Sequence, residues 1–225
     1  MTRNAILKNS SLFDGIGEEQ YDHVLKCLQA SEVTIRRGSI VQHISDIDHK
    51  AGIVLRGKVK ILYYDESSNP VILRVREVGE SFGMVENAEI TGQRLKNQIE
   101  ILAMKDSDIL LMKPMDVSCD NRSLCRFYSQ IVANLLREAL EHNAYMDMRL
   151  RVMGQRSIRD KLKIYLGELP ERSDGTRRIP FSMSDLANFL NVDRSALYQV
   201  IRSLKEEGAV HWEGRLIDHL KPSMF

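Results

Sequence analysis

The fold of the C-terminal part of this chain is decided by residues 181–208, FSMSDLANFLNVDRSALYQVIRSLKEEG. The pattern predicts two short helices joined by a tight turn. Ser182 is placed to cap the first helix, because its hydroxyl precedes Asp185 by three residues. Asn191 suits the turn because asparagine tolerates the left-handed conformation, and Asp193 can cap the second helix. This pattern is typical of a helix-turn-helix, which lays its second helix in the major groove of DNA.

Apolar residues recur at helical spacing in both helices and predict their buried faces. They are Leu186, Ala187, Phe189 and Leu190 in the first helix, and Leu197, Val200, Ile201 and Leu204 in the second. The polar residues between them face outward. Arginine can recognise a guanine edge and glutamine an adenine edge, whereas serine and tyrosine can hold phosphates. The predicted DNA-binding residues are Ser182, Ser184, Asp193, Arg194, Ser195, Tyr198, Gln199 and Arg202.

A β-hairpin wing is predicted after Gly208, in AVHWEGRLIDHL, with its turn at Glu213 and Gly214. An ordinary helical hairpin with a solvated polar face is the alternative interpretation of residues 181–208 taken alone. The wing and the order of the remaining segments favour the DNA-binding interpretation.

The composition indicates a soluble globular protein. Its 225 residues allow one or two domains, and 43% of them are hydrophobic and 28% charged. The formal net charge is +1, and residues 154–225 hold 12 Lys and Arg against 10 Asp and Glu, so a DNA-binding surface has to be basic locally. No segment has the apolar length of a membrane span, and the N-terminus lacks the apolar core of a signal peptide. We therefore expect a cytoplasmic protein without a membrane partner.

The residue patterns that carry catalysis or bind metals are missing from the sequence. Cys27, Cys119 and Cys125 form no CxxC pair, which favours buried free thiols over a disulfide or an iron–sulfur cluster. The six histidines lack the spacing of zinc ligands. Haem stays open, because one histidine and one other ligand suffice. The chain has neither a P-loop nor a Ser-His-Asp order with elbow glycines, so we expect no enzyme.

Residues 1–119 predict an antiparallel β-roll. A helical opening, LFDGIGEEQYDHVLKCL, is followed by short β-branched runs separated by turn signals: EVTIRRGSIV, AGIVLRGKVKILYYD, PVILRVREVG and IEILAMKDSDILLMK. Gly38, Gly52, Gly57 and Gly79 are expected at its corners, where the chain bends tightly. The loop GESFGM, residues 79–84, can offer backbone N–H groups to a small ligand.

A long helix is predicted over residues 121–153, within a dimerisation segment 120–153. The chain offers no second long helix to cover its heptad seam, so a second copy of the chain is the simplest partner. Packing only on its own β-roll is the alternative. Gly154, Gln155 and Arg156 then break the helix and Ser157 can cap the next, which predicts a hinge before a DNA-binding domain of residues 154–225. The seam consists of Cys125, Ser129, Val132, Leu136, Ala139, Asn143, Met146, Leu150 and Met153.

These segments, in this order, resemble the Crp/Fnr family of regulators, typified by the cyclic-AMP receptor protein and the oxygen sensor FNR. The resemblance covers nearly the whole chain and rests on SLFDGIGEEQYDHVL, GIVLRGKVKI, GESFG, RSIRDKLKIYL and SMSDLANFLNVDRSALYQVIRSLKEEGAV. It implies an α+β fold: a β-roll of the cyclic-nucleotide-binding type (a double-stranded β-helix), a long dimerisation helix and a winged helix-turn-helix. It further implies a homodimer that binds a palindrome in double-stranded DNA, contacts RNA polymerase, and senses a small effector in the β-roll. By this resemblance Arg194, Ser195 and Gln199 occupy base-reading positions.

The sequence departs from the family at the effector site. The cyclic-AMP binders carry FGE where this chain has Phe82-Gly83-Met84, an Arg-Ser pair where it has Asn97-Gln98, and a Thr-Ser pair where it has Met146-Asp147. A cyclic phosphate needs a cation, so these changes disfavour cyclic AMP. The N-terminal cysteine cluster of the oxygen sensors is absent as well. The predicted effector-binding residues are Met84, Val85, Asn97, Gln98, Ile99, Asn143, Tyr145, Met146 and Asp147.

This lining suits a partly apolar organic effector better than a nucleotide. Two alternatives stay open. The pocket can be filled by its own side chains, which would make the chain a constitutive DNA binder, or the β-roll can be a cyclic-nucleotide-type module that regulates a partner protein. Many family members carry arginine where this chain has Gln199, which predicts an adenine in place of a guanine in the operator.

Overall fold

The computed structural model describes residues 2–43, 51–64, 67–83, 99–113 and 127–220. The chain forms two compact units, Met1–Asn69 with Leu73–His142, and Pro70–Ile72 with Asn143–Phe225. Antiparallel sheets and helices are combined, as predicted for an α+β fold. The predicted domain limits at residues 119 and 153 stay predictions. No helix in the described ranges is long and apolar enough to cross a membrane.

In the described ranges, the N-terminal half contains two short helices and two four-stranded antiparallel sheets. The strand orders are β1-β8-β3-β6 and β2-β7-β4-β5. The helices are α1 (Arg3–Leu7) and α2 (Tyr21–Cys27), with 3₁₀ turns at Ser11–Phe13 and Glu18–Gln20. The strands are β1 (Ser31–Ile35), β2 (Ile40–His43), β3 (Ala51–Arg56), β4 (Val59–Tyr64), β5 (Pro70–Arg76), β6 (Ser81–Phe82), β7 (Ile99–Ala103) and β8 (Ser107–Met112).

Strand β3 shows how the two cores of the first unit arise. Side chains alternate between the faces of a strand, so Val54 points to one side and Ile53 and Leu55 to the other. Val54 packs in a cluster formed by both sheets, whereas Ile53 and Leu55 pack with the N-terminal helices and the start of a long helix. Because both faces of β3 are covered, the strand is apolar along almost its whole length, as its sequence GIVL (residues 52–55) shows.

The predicted corner role of one glycine is wrong. Gly38, Gly57 and Gly79 do have positive φ and lie at bends. Gly52 instead lies inside β3, paired with Phe82 of β6. A Cβ at Gly52 would come within 2.2 Å of the Phe82 ring, so glycine is needed here because an aromatic ring covers the backbone.

The long helix α3 spans Tyr128–Met153 and ends where the sequence predicts. Its inward face carries Ile131 and Leu135 in the apolar core of the first unit. The Asn134 amide is buried between them and donates to the carbonyls of Leu12 and Asp14 at 2.8 and 2.9 Å. Glu138 accepts hydrogen bonds from the hydroxyls of Ser11 and Ser81. This face is fixed by both apolar and polar contacts.

The predicted seam lies on a neighbouring face of α3 and is largely exposed. Leu136 and Leu150 are 62% and 70% exposed, and Leu140 beside the seam is 61% exposed. Ser129, Val132 and Asn143 are exposed too, Ala139, Met146 and Met153 are half-buried, and Cys125 lies outside the described residues. We call Val132, Leu136, Leu140 and Leu150 the exposed stripe. No described part of the chain covers it.

The C-terminal part of the chain is a winged helix-turn-helix, as predicted. The wing has a third strand that sequence analysis missed, because a two-residue strand is too short to show a period. Tyr165, Phe181 and Phe189 stack in its core, with ring centroids 4.7–6.1 Å apart. The elements are α4 (Ile158–Glu168), β9 (Arg177–Arg178), α5 (Met183–Leu190), α6 (Arg194–Glu206), β10 (Val210–Glu213) and β11 (Leu216–Leu220).

Of the three cysteines, the structure describes one. Cys27 is a half-buried thiol outside any disulfide, with its Sγ 3.7 Å from Nε2 of His23. This agrees with the prediction of a free thiol, although the side chain is less buried than expected. Cys119 and Cys125 lie outside the described residues.

Candidate nucleic-acid interface

The turn between α5 and α6 has the local geometry that the sequence predicts. The Ser182 hydroxyl accepts a hydrogen bond from the Asp185 N–H at 3.1 Å and donates to its carboxylate at 2.7 Å. Asn191 is left-handed, with φ 50° and ψ 61°. Asp193 caps α6 by accepting from the Ala196 N–H at 3.0 Å. These three residues set the direction in which α6 leaves α5.

The apolar face of α6 is packed and its polar face is free. Leu197, Ile201 and Leu204 are buried and Val200 is half-buried. The polar residues on the other side are exposed: Arg194, Ser195, Tyr198, Gln199 and Arg202. On α5, Ser184 is exposed and Ser182 is half-buried. The five predicted residues on α6 therefore share one exposed face of that helix, while the contacts of all eight with DNA stay predictions.

Three of these residues have a local structural task. Ser182 and Asp193 are helix caps, and the Ser195 hydroxyl donates to the Asp193 carboxylate at 2.5 Å. The hydrogen bonds from Ser195 and from the Ala196 N–H lower the pKa of Asp193. The side chains left to extend from the surface of α6 are Arg194, Tyr198, Gln199 and Arg202.

The two arginines of α6 differ in how they are held. The Arg194 guanidinium lies 5.6 Å from the centroid of the Tyr198 ring, one helical turn away, in a cation–π contact. Arg202 pairs with Glu206 at 2.7 Å, also one turn away. Arg194 is thus oriented without losing its hydrogen-bond donors, whereas Arg202 has to leave a carboxylate before it can contact a phosphate. Gln199 has no side-chain partner among the described residues.

The wing exposes two further arginines that sequence analysis missed. Arg178 of β9 lies opposite Leu216 of β11, and the neighbouring Ile179 N–H donates to the Arg215 carbonyl at 2.8 Å. Arg178 and Arg215 are both exposed, and neither has an ion pair within the described ranges. Their closeness depends on the pairing of β9 with β11. The sequence indicates these two arginines only through the basic character of TRR (residues 176–178) and GR (residues 214–215).

The structure resembles solved regulators along most of its length. It matches FixK2 from Bradyrhizobium japonicum with a TM-score of 0.61 and 15% identity, over 84% of this chain and 91% of that one. A mutant of CooA from Carboxydothermus hydrogenoformans matches with a TM-score of 0.68 and 15% identity, over 88% and 87% of the two chains. The chain has the fold of Crp/Fnr-type regulators. The resemblance predicted from the sequence is confirmed.

Sequence comparison gives a narrower match. No family model matches the chain. The nitrogen fixation regulation protein FixK of Rhizobium meliloti (strain 1021) is 32% identical over 91 residues, which are 39% of this chain. The match spans 43% of the length of FixK, less than half of that protein.

The predicted effector site stays a prediction. Met84, Val85, Asn97 and Gln98 lie outside the described residues, as does the side chain of Ile99 in β7. The remaining four lie on α3, where Tyr145 and Met146 are half-buried and Asn143 and Asp147 are exposed.

The C-terminal end of α6 is held to α4 by one ion pair. The Arg159 guanidinium donates to both carboxylate oxygens of Glu207, at 2.8 and 2.5 Å, and the Ser203 hydroxyl donates at 2.7 Å. The hydrogen bond from Arg159, followed by that from Ser203, lowers the pKa of Glu207 to about 2. Two different elements thus stabilise this carboxylate in its charged form.

The ion pair between Arg159 and Glu207 is expected to break only at low pH. The pKa of Glu207 in the folded protein lies below its ordinary value of 4.5. The ion pair therefore contributes fully to folding stability above pH 4.5, and this contribution is lost as the pH falls through about 2. A carboxyl NMR titration should give a Glu207 midpoint near 2, and Glu207→Gln should make thermal stability less dependent on pH between 4.5 and 2. Glu141→Gln, at an exposed position of α3, is the control. A Glu207 midpoint at 4.5 would contradict the prediction.

Proposed function

We propose that this chain is a homodimeric transcription regulator that binds a palindromic operator through α6 and responds to a small effector in its β-roll. The observation that carries the proposal is the polar face of α6. Arg194, Tyr198 and Gln199 extend from one exposed surface, while the opposite face is buried and the helix leaves a capped left-handed turn. This is the geometry that presents base-reading side chains to a major groove.

The exposed stripe of α3 supports a homodimer. Large apolar side chains on a helix that already buries another face need a partner. The seam to which Val132, Leu136 and Leu150 belong is spaced in steps of three and four, which suits a parallel copy of the same helix. Burying one exposed leucine is worth about 1.5–3 kcal/mol, and a two-fold interface buries each side chain twice. The exposed Asn143 within the seam can fix the register of the two helices.

A two-fold dimer constrains the DNA. Two copies of α6 related by that axis would enter successive major grooves, so the half-sites lie about one helical turn, or about 34 Å, apart. Within a half-site, Arg194 would contact guanine and Gln199 adenine. RNA polymerase is the further partner that a DNA-bound regulator of this type would contact.

The effector part of the proposal rests on the departures from the cyclic-AMP binders. Met84 replaces the glutamate of their loop, and Asn97-Gln98 replaces their phosphate-binding pair. A partly apolar organic molecule fits these residue types better than a nucleotide. Mass spectrometry of small molecules that co-purify with the protein, together with an absorbance scan for haem, tests this. A nucleotide or a haem spectrum would overturn it.

The DNA-binding part is tested by selection from random double-stranded sequences at low salt. We expect an enriched palindrome and a shifted band that contains two protein chains. A protein that enriches no sequence, with or without cell extract, would overturn DNA binding. The β-roll would then regulate a partner protein. Enrichment that is identical with and without extract would identify a constitutive binder.

The wing arginines are expected to contact phosphates beside the half-site. Arg178→Gln and Arg215→Gln should each weaken binding equally for all sequences, and each should reduce the slope of log affinity against log salt by about 1. Lys105→Gln, an exposed cation on the turn between β7 and β8, should leave the slope unchanged. Titrations at several salt concentrations measure this. Unchanged slopes in both wing variants would remove the wing from the interface.

A further inference from the structure

Arg149, near the C-terminal end of α3, is a buried cation without an anionic partner. It is only 7% exposed, and no carboxylate in the described ranges pairs with it. Its Nη1 donates to the carbonyl oxygens of Phe189 and Ile72, at 2.9 and 3.0 Å, and its guanidinium lies 4.2 Å from the Phe189 ring centroid. All three residues belong to the second unit. Burial lowers the pKa of Arg149, although an arginine keeps its charge in proteins.

Such an arginine is a poor way to gain stability. Removing a guanidinium from water is expensive, and backbone carbonyls repay only part of that cost. Even a buried ion pair, in which both charges are compensated, can often be replaced by apolar side chains of similar volume with no loss of stability. The geometry that Arg149 imposes is therefore a better explanation for it than the stability it contributes.

Arg149 acts on the C-terminal end of α5. The last four carbonyls of a helix lack partners within the helix, and they carry its partial negative charge. In α5 the turn satisfies two of them, because the N–H groups of Asn191 and Val192 donate to Asn188 and Ala187.

Cations from the two preceding helices bind the remaining two carbonyls. Arg149 of α3 binds the Phe189 carbonyl, and Lys161 of α4 binds the Leu190 carbonyl at 3.0 Å. Burial lowers the pKa of Lys161 as well. We call Arg149 and Lys161 the cation clamp. Four consecutive carbonyls are thereby satisfied, two by the turn and two by the clamp.

We propose that Arg149 is a positioning residue for DNA binding, which fixes the direction of the helix-turn-helix relative to the end of α3. The inference rests on the proposed function. The backbone link from α3 to α4 is short and contains Gly154, so it does not by itself fix that direction. Since α6 follows α5 through one tight turn, a clamp on the end of α5 also orients α6. In a dimer paired through α3, this angle decides whether both copies of α6 reach their half-sites together.

The test compares full and half operators. Arg149→Met should reduce the affinity for the full palindrome by about tenfold, the range of mutations that alter coupling between sites. Binding to a DNA with a single half-site should be unchanged. Arg149→Lys keeps the charge but loses the planar fork, so it should recover part of the loss. Arg151→Met removes an exposed arginine that pairs with Glu168 at 2.6 Å, and should behave like wild type.

Two outcomes would overturn the inference. In one, Arg149→Met binds the full palindrome as wild type does. In the other, its affinity for full and half operators falls equally and it unfolds at a lower temperature, which would give Arg149 a merely structural role. Amide hydrogen exchange provides a second test that needs no DNA. The amides of Asn191 and Val192 should exchange faster in Arg149→Met than in wild type. Unchanged exchange there would overturn the clamp, whereas a wild-type protein that binds no DNA would overturn only the proposed function.

Discussion

Leu136→Asp is expected to convert the dimer into monomers and to abolish binding to a full operator. Leu136 is 62% exposed in the single chain, so the substitution removes few contacts within a protomer and the variant should still fold. In the dimer the change removes two buried leucines, worth about 3–6 kcal/mol together. A loss of that size raises the dissociation constant of the dimer by about 10²- to 10⁴-fold. The two aspartates would also face each other across the two-fold axis.

Sedimentation velocity measures this directly, and a gel shift on the selected palindrome measures its consequence. Leu136→Met is the matched control, because it keeps an apolar side chain of similar volume and should leave the dimer intact. Binding to a single half-site should survive in the aspartate variant. A Leu136→Asp protein that still sediments as a dimer would show that the exposed stripe is not the interface.

Gln199→Arg is expected to change the preferred operator. Glutamine pairs with adenine and arginine with guanine, and each such pair discriminates by about 1–3 kcal/mol. The substitution should replace adenine by guanine at one symmetric position of each half-site, and leave the rest of the palindrome unchanged. Gln199 is exposed and has no side-chain partner among the described residues, so no local contact is lost on substitution.

Selection from random DNA, repeated with each variant, reads out this change. Gln199→Ala serves as the control, because it should lose the preference at that position without gaining a new one. The selected sequence should keep its guanine opposite Arg194 in all three proteins. An identical preferred operator for wild type and Gln199→Arg would show that Gln199 does not contact a base.

Local features were predictable because each depends on neighbouring residues alone. Ser182 and Asp193 cap their helices, Asn191 takes the left-handed turn, and Gly208 ends α6 with φ 62°. The heptad seam of α3 was readable for the same reason, since its spacing along one helix does not depend on what surrounds it, whereas the exposed Leu140 beside it was not part of that prediction. The predicted effector site, in contrast, combines residues from distant parts of the chain. Five of its nine residues lie where the structure does not describe their side chains.

Features that depend on distant pairing could not be predicted. Gly52 was assigned to a corner because glycines are common there, yet the position opposite Phe82 is what requires it. Arg178 and Arg215 become neighbours only because β9 adds to the wing. Neither pairing leaves a periodic signal in the sequence.

The sequence by itself therefore determined the helix-turn-helix, its caps and the heptad seam, because spacing and side-chain chemistry along one or two helices suffice for them. Only the tertiary structure decided which buried groups meet. Helical spacing places Arg149 and the exposed Arg151 on different faces of α3, but nothing in the sequence shows that Arg149 reaches the end of α5. Burial and hydrogen-bond partners follow from the packing of helices far apart in the chain, and this packing makes an ordinary arginine into half of a cation clamp.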